Sequence, residues 1–272
     1  MNDKYRTGGF TLVELLVVVA IISVLVSILV PVVGNSLQDA RRVVCATNIK
    51  EIGRAMNAYT RANNDSYPTV RSKTNPQVRW ITLLGPYIGG SVVDPNIESL
   101  PSNGNMIISN GFRCPNIAAS KYQLPPGKNR GDYARTGSYG YNWMTFGPFA
   151  PQATGLRRYG PVVRSQIAKP AQTILVGDSF GDNAMTGQPH AYTLDPPVAL
   201  QGRWGDSGSG LQCPADPRHG SKFNVVFADG NVRSLTMTEA GYDSEDPTAV
   251  GGTGDPSLWN GFYDSSITLF TD

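Results

Sequence analysis

The sequence predicts an α+β protein: one long N-terminal helix, first membrane-embedded and then amphipathic, packed on a loop-rich antiparallel β body. Three observations carry this. A run from Phe10 to Val30, 21 residues, contains only Thr11, Glu14, Ser23 and Ser27 as non-apolar positions. Helical periodicity continues beyond it to about Ala62. From about Tyr67 onward, all but one of the 20 prolines, Pro31 being the exception, and most of the 30 glycines cut the chain into short pieces. A chain of 272 residues suits one large domain with an appendage. Charged residues are only 16%, against a usual share of about 25%. The 12 Tyr, 9 Phe and 4 Trp supply enough burial to exclude disorder. A net charge of +2, with basic residues scattered apart from Arg41-Arg42 and Arg157-Arg158, excludes a nucleic-acid footprint.

The run from Phe10 to Val30 is long enough to cross a bilayer as a helix. The uncharged part from Leu15 to Val30 exceeds the apolar core of a cleaved secretory signal, and a carboxylate lies just upstream. That carboxylate, Glu14, costs about 2.5 kcal/mol or more inside a membrane unless a partner satisfies it. Lys4 and Arg6 precede the span while Arg41 and Arg42 follow it, so charge alone does not orient it.

Gly8-Gly9-Phe10-Thr11-Leu12-Val13-Glu14-Leu15 resembles the type IV prepilin signal of pilins and type II secretion pseudopilins. The resemblance implies cleavage between Gly9 and Phe10 by a prepilin peptidase on the cytoplasmic side, followed by methylation of Phe10. Residues 1–9 are then a leader peptide and 10–30 the transmembrane helix, with the N-terminus inside. Glu14 lies one turn past the new terminus, where it can meet the α-ammonium of a neighbouring subunit's Phe10 in low dielectric. The partners implied are the peptidase, like subunits in a helical filament, a secretion or pilus assembly platform and the inner membrane. The body is expected in the periplasm or in a cell-surface filament.

Pro31 and Gly34 interrupt or kink a helix without necessarily ending it. Beyond them Cys45, Ile49, Ile52, Met56 and Tyr59 recur at helical spacing and mark one apolar face. The pattern stops at Asn63-Asn64-Asp65, a turn-forming cluster. Residues 31–65 therefore read as an amphipathic extension, and 66–272 as the body. If continuous, the helix from Phe10 to Ala62 spans roughly 80 Å.

In the body, Thr173–Val176, Phe223–Phe227 and Asn231–Leu235 have the apolar, β-branched character of strands. The last two flank Asp229-Gly230, a strong hairpin signal that suits a type I′ turn. His219 precedes Asp229 with nine residues between them. This H-X9-DG spacing, with Cys45-Ala-Thr-Asn48-Ile-Lys50-Glu-Ile-Gly53-Arg-Ala55, Cys114-Pro115 and Gly177-Asp178-Ser179, resembles prepilin-like proteins with a DUF1559-type body and a C-terminal H-X9-DG domain. That hairpin module is placed at 219–235. Residues 71–105, 145–165, 181–215 and 236–272 carry no such resemblance.

An enzymatic alternative is a membrane-anchored binding or hydrolytic domain. Gly177-Asp178-Ser179 after an apolar strand and Asp216-Pro-Arg-His219 resemble the first and last blocks of GDSL/SGNH esterases, which suggests a triad of Ser179, Asp216 and His219. About 40 residues between the blocks are too few for the βα units that fold requires, so no catalytic residue is assigned. A metal reading would gather Asp178, His219 and Asp229, and the stretch from Asp178 to Asp182-Asn183 offers oxygen ligands to calcium. His is a poor calcium ligand, and no cofactor or metal is assigned. The reading taken is structural: His219 bonds backbone at the approach to the hairpin, and Asp229 and Gly230 form its turn. Three cysteines allow one disulfide. Cys114 and Cys213 both precede proline in loop-like sequence and are read as the pair. Cys45 is then a core thiol, or alternatively the partner that ties Cys114 to the helix.

Overall fold

The computed structural model describes residues 11–70, 80–88, 112–117, 138–146, 161–180, 182–183, 188–189, 193–197, 213–246, 254–259 and 261. Helix α1 runs from Leu12 to Ala62. Its start is a capping box: the Thr11 hydroxyl accepts the Glu14 N–H at 3.3 Å, and the Glu14 carboxylate accepts the Thr11 N–H and hydroxyl, both at 2.8 Å. Pro31 removes one backbone donor, yet the helix continues through it. Among the described residues, α1 is the one helix long and apolar enough to cross a membrane. Its end falls at the predicted cluster. Asn64 and Asp65 take φ of 51° and 56°, and the Asp65 N–H returns to the Thr60 carbonyl at 2.9 Å. These residue types tolerate left-handed backbone, which stops the helix there.

The chain divides into two compact units, Met1–Arg41 and Arg42–Asp272. The second contains the last turns of α1, two short helices, α2 (Trp80–Leu84) and α3 (Trp143–Phe146), and the strands β1 (Tyr139–Asn142), β2 (Ile174–Asp178), β3 (Asp182–Asn183), β4 (Gln188–Pro189), β5 (Thr193–Leu194), β6 (Phe223–Phe227) and β7 (Val232–Leu235). Five strands form one sheet in the order β5-β1-β2-β6-β7, while β3 and β4 pair separately. The expected antiparallel sheet is in fact mixed: β1 pairs with β2, β2 with β6 and β6 with β7 antiparallel, but β1 and β5 run parallel. A parallel pair needs a long connection. The chain from 143 to 192 supplies one, and β2 is formed on the way.

Every residue of β1, β2 and β6 is buried, because both faces of the sheet are covered. On one face Val176 and Val226 join Cys45, Ile49, Ile52 and Met56 of α1, with Tyr67, Trp80, Tyr139 and Tyr141. On the other, Phe223, Val225 and Phe227 pack with Leu194, Met237, Tyr242 and Trp259. This two-sided burial is why Phe223–Phe227 reads as a nearly continuous apolar run rather than an alternation. The predicted helical stripe is the one buried, and Gly53 sets how closely it approaches the sheet. A Cβ there would stand 2.7 Å from Val226 Cγ2.

The predicted hairpin forms, with β6 and β7 in register from Phe223 opposite Leu235 to Val226 opposite Val232. Its turn is not type I′. Gly230 has φ of +93°, whereas Asp229 is not among the residues with positive φ. The Phe227 carbonyl accepts the Gly230 N–H at 2.8 Å, and the Phe227 N–H donates to the Asn231 carbonyl at 2.9 Å. Together these describe a type I turn closed by a glycine bulge. Asp229 caps it, its carboxylate accepting the Asn231 N–H at 2.9 Å and side-chain amide at 2.6 Å.

Candidate functional site

Four chemically active side chains meet in the buried seam between α1 and the sheet: Cys45, Cys114, Asp178 and His219, with ligand atoms all within 4.8 Å of one another. Each comes from a different element. Cys45 opens the buried stripe of α1, Cys114 sits in the 112–117 loop, Asp178 ends β2 and His219 lies in the turn before β6. Gly220 and Ser221, with φ of 67° and 63°, reverse the chain there. The His219 N–H then bonds the Lys222 carbonyl at 2.9 Å and holds the ring inward.

Cys45 and Cys114 form a disulfide with Cα atoms 5.3 Å apart, well inside the usual range. This corrects the expected Cys114–Cys213 pairing. Cys213 lies elsewhere, buried beside Asp195, whose carboxylate accepts its backbone N–H at 2.8 Å. The alternative role for Cys45, tying α1 to the body through Cys114, is the one the fold uses. Sequence could not choose, because both cysteines offered to Cys114 lie far from it along the chain.

His219 also departs from expectation. Among the described residues its ring meets side chains and no backbone: Nε2 lies 3.3 Å from Asp178 Oδ2, with neither side chain exposed (0% each). Nε2 is also 3.6 Å from Cys114 Sγ, and Nδ1 is 3.1 Å from the Asn116 side-chain amide. Asp178 Oδ2 accepts the Asn224 N–H at 2.8 Å, and Oδ1 lies 3.8 Å from Cys45 Sγ. Tyr139 Oη contacts Cys45 Sγ at 3.1 Å and accepts from Asn48 Nδ2 at 3.3 Å. Asn48 also donates to the Arg113 carbonyl at 3.0 Å, which fastens the loop carrying Cys114. Sequence reasoning gave no site role to Asn48, quoted only within the family motif, or to Asn116, Tyr139 and Asn224. Only Asn48 had a local signal, since at three residues past Cys45 it shares that helix face.

The esterase triad does not assemble. The buried Ser179 hydroxyl donates to the Thr193 carbonyl at 2.7 Å, Asp216 pairs with Arg218 at 2.9 Å, and His219 faces Asp178. Burial pushes the Asp216 carboxyl above its usual range, with Arg218 pulling it back. Nor does Asp229 join a metal set with Asp178 and His219, because it is an exposed turn residue occupied with Asn231. Gly9 and Phe10 lie outside the described residues, whereas Glu14 is placed at the start of α1 with Thr11 as its partner.

Comparison with known proteins adds to the N-terminal part. Residues 4–30 match the prokaryotic N-terminal methylation motif. Over 69 residues the chain is 36% identical to type II secretion system core protein G of Pseudomonas aeruginosa, a match covering 25% of this chain and 48% of that protein. The chain thus spans about half the length of this curated relative. No solved structure matches it.

Proposed function

We propose that this chain is a pilin-like structural subunit, a pseudopilin of a type II secretion or type IV pilus-like system, and not an enzyme. One observation carries the reading: a methylation motif over residues 4–30 whose apolar part, from Leu12, is the start of a 51-residue helix. In this reading a prepilin peptidase cuts after Gly9, Phe10 becomes the methylated terminus, and α1 anchors the subunit once in the inner membrane with the body outside the cytoplasm. Like subunits then assemble through α1 on a secretion or pilus platform. The body, with its His219 to Asp229-Gly230 spacing, belongs with the H-X9-DG, DUF1559-type proteins it resembles.

Glu14 has two roles here. Within one chain its carboxylate closes the cap on Thr11. Between chains it offers the charge that a neighbouring Phe10 ammonium needs in a low dielectric. Mass spectrometry of the protein from its native membrane tests the reading, with a chain starting at N-methylated Phe10 expected. An intact Met1, or a start near Asn35, refutes it. Glu14→Ala makes the span more apolar and should leave insertion intact while abolishing crosslinked oligomer ladders. Ladders equal to wild type would reject assembly through Glu14.

A further inference from the structure

We propose that in its thiol form the cluster of Cys45, Cys114, Asp178 and His219 is a binding site for a thiophilic divalent cation, Zn²⁺ above all. The disulfide between Cys45 and Cys114 is then the alternative, oxidised state of the same site.

The donor set is two sulfurs, one imidazole nitrogen and one carboxylate oxygen, the number and kinds that tetrahedral zinc takes. The spacing fits as well. Bond lengths of about 2.0–2.3 Å give a tetrahedron whose edges are roughly 3.4 Å between N and O, 3.6 Å between S and either, and 3.8 Å between sulfurs. The structure already has 3.3 Å between His219 Nε2 and Asp178 Oδ2. It has 3.6 Å between Cys114 Sγ and Nε2, and 3.8 Å between Cys45 Sγ and the other Asp178 oxygen, Oδ1, so the carboxyl has to turn to present a single oxygen to the metal. The sulfur–sulfur edge has to open, which happens when the disulfide is absent, and the other edges start from ligand atoms that all lie within 4.8 Å of one another.

A second observation is that the disulfide has no need of its neighbours. Burying a carboxyl and an imidazole together is often no better for stability than apolar packing. Here both are fully buried and both are aimed at the sulfurs. A metal accounts for that placement. The surrounding groups suit one too: the Tyr139 hydroxyl reaches Cys45 Sγ and the Asn224 N–H reaches Asp178, so two of the three anionic ligands have donors. When Nε2 ligates, its proton resides on Nδ1, and the Asn116 amide, which in the oxidised form donates to the Arg218 carbonyl at 3.2 Å, has to give up that bond and turn its oxygen to accept it.

The balance is simple. Cysteines are made as thiols, so the site exists before oxidation; binding M²⁺ releases two protons from them to solvent. Starting from the disulfide, two electrons and two protons are needed. A phosphine supplies the electrons and leaves as its oxide, with water giving the oxygen and the protons.

The test uses the full chain in detergent, reduced with a phosphine under anaerobic conditions and titrated with Co²⁺. One equivalent should bind, giving tetrahedral visible bands and a thiolate-to-cobalt charge-transfer band, both bleached by Zn²⁺. The oxidised chain should show neither. His219→Gln and Asp178→Asn should each weaken uptake at least tenfold, while still forming the Cys45–Cys114 disulfide on reoxidation, which shows that they fold. Cys213→Ser should bind as wild type does. Absence of the charge-transfer band in the reduced chain overturns the proposal. So does wild-type affinity in both His219→Gln and Asp178→Asn, or loss of the band in Cys213→Ser.

Discussion

Removing the His219 ring from the oxidised protein probes the centre of the body more sharply than any other substitution. The partner left behind, Asp178, is fully buried, and among the described residues its carboxylate keeps one hydrogen-bond donor, the Asn224 N–H, since the disulfide sulfur beside it carries no proton. Stripping one member from a buried pair of this kind costs about 3–5 kcal/mol. The surviving donor places His219→Ala near the lower end, about 3 kcal/mol. For a unit the size of Arg42–Asp272, each kcal/mol shifts Tm by roughly 2–4 °C, so a fall of about 6–12 °C is expected. The assay is near-UV circular dichroism melting of the full chain in detergent, with the disulfide intact. Two comparisons set the scale. Ser179→Ala removes a buried hydroxyl bond and should cost about 1 kcal/mol. Asp229→Ala removes a cap on an exposed turn and should cost no more than that. In the Asp178→Asn background the His219→Ala effect should shrink by at least 1 kcal/mol, because the pair is already broken. A His219→Ala protein that melts within about 2 °C of wild type would refute the reasoning, as would strictly additive losses in the double variant.

Two further outcomes follow from other parts of the body. Gly53→Ala gains about 1 kcal/mol of helix propensity but places a methyl 2.7 Å from Val226 Cγ2, an overpacking that costs about 1–3 kcal/mol. Thermal melting should show a net loss of up to a few degrees in the wild-type background and a gain in the Val226→Ala background, where the space is open. A stabilised single variant would mean that α1 can move away freely. Glu245 accepts hydrogen bonds from the Met237 and Thr238 N–H groups and the Thr238 hydroxyl. Slight burial raises its pKa, but these bonds outweigh it and hold the carboxyl below its ordinary range. A depressed folded-state pKa means stabilisation that is present above the ordinary glutamate value and lost as the pH falls through the lower one. Glu245→Gln should therefore melt below wild type at neutral pH, with the gap closing in acid; a gap that widens in acid would contradict the sign.

Local interactions made part of this protein legible from residues alone. Runs such as Phe10 to Val30 and the stripe from Cys45 to Tyr59 fix their own helical faces, because each residue's neighbours lie three and four positions away. The helix stop at Asn63-Asn64-Asp65 and the reversal at Asp229-Gly230 are likewise set by which residues accept left-handed backbone. Even there the turn type escaped, since the bulge at Gly230 depends on how β6 and β7 meet, not on the dipeptide alone. The tertiary structure alone decided the partner of Cys114, the parallel pairing of β5 with β1, and the placing of Asp178 beside His219. These contacts join residues tens of positions apart, and nothing in the spacing of such residues says which will be neighbours. What brings them together is burial: α1 and the far strands close over one apolar seam, and polar side chains carried into that seam must find each other because water cannot reach them.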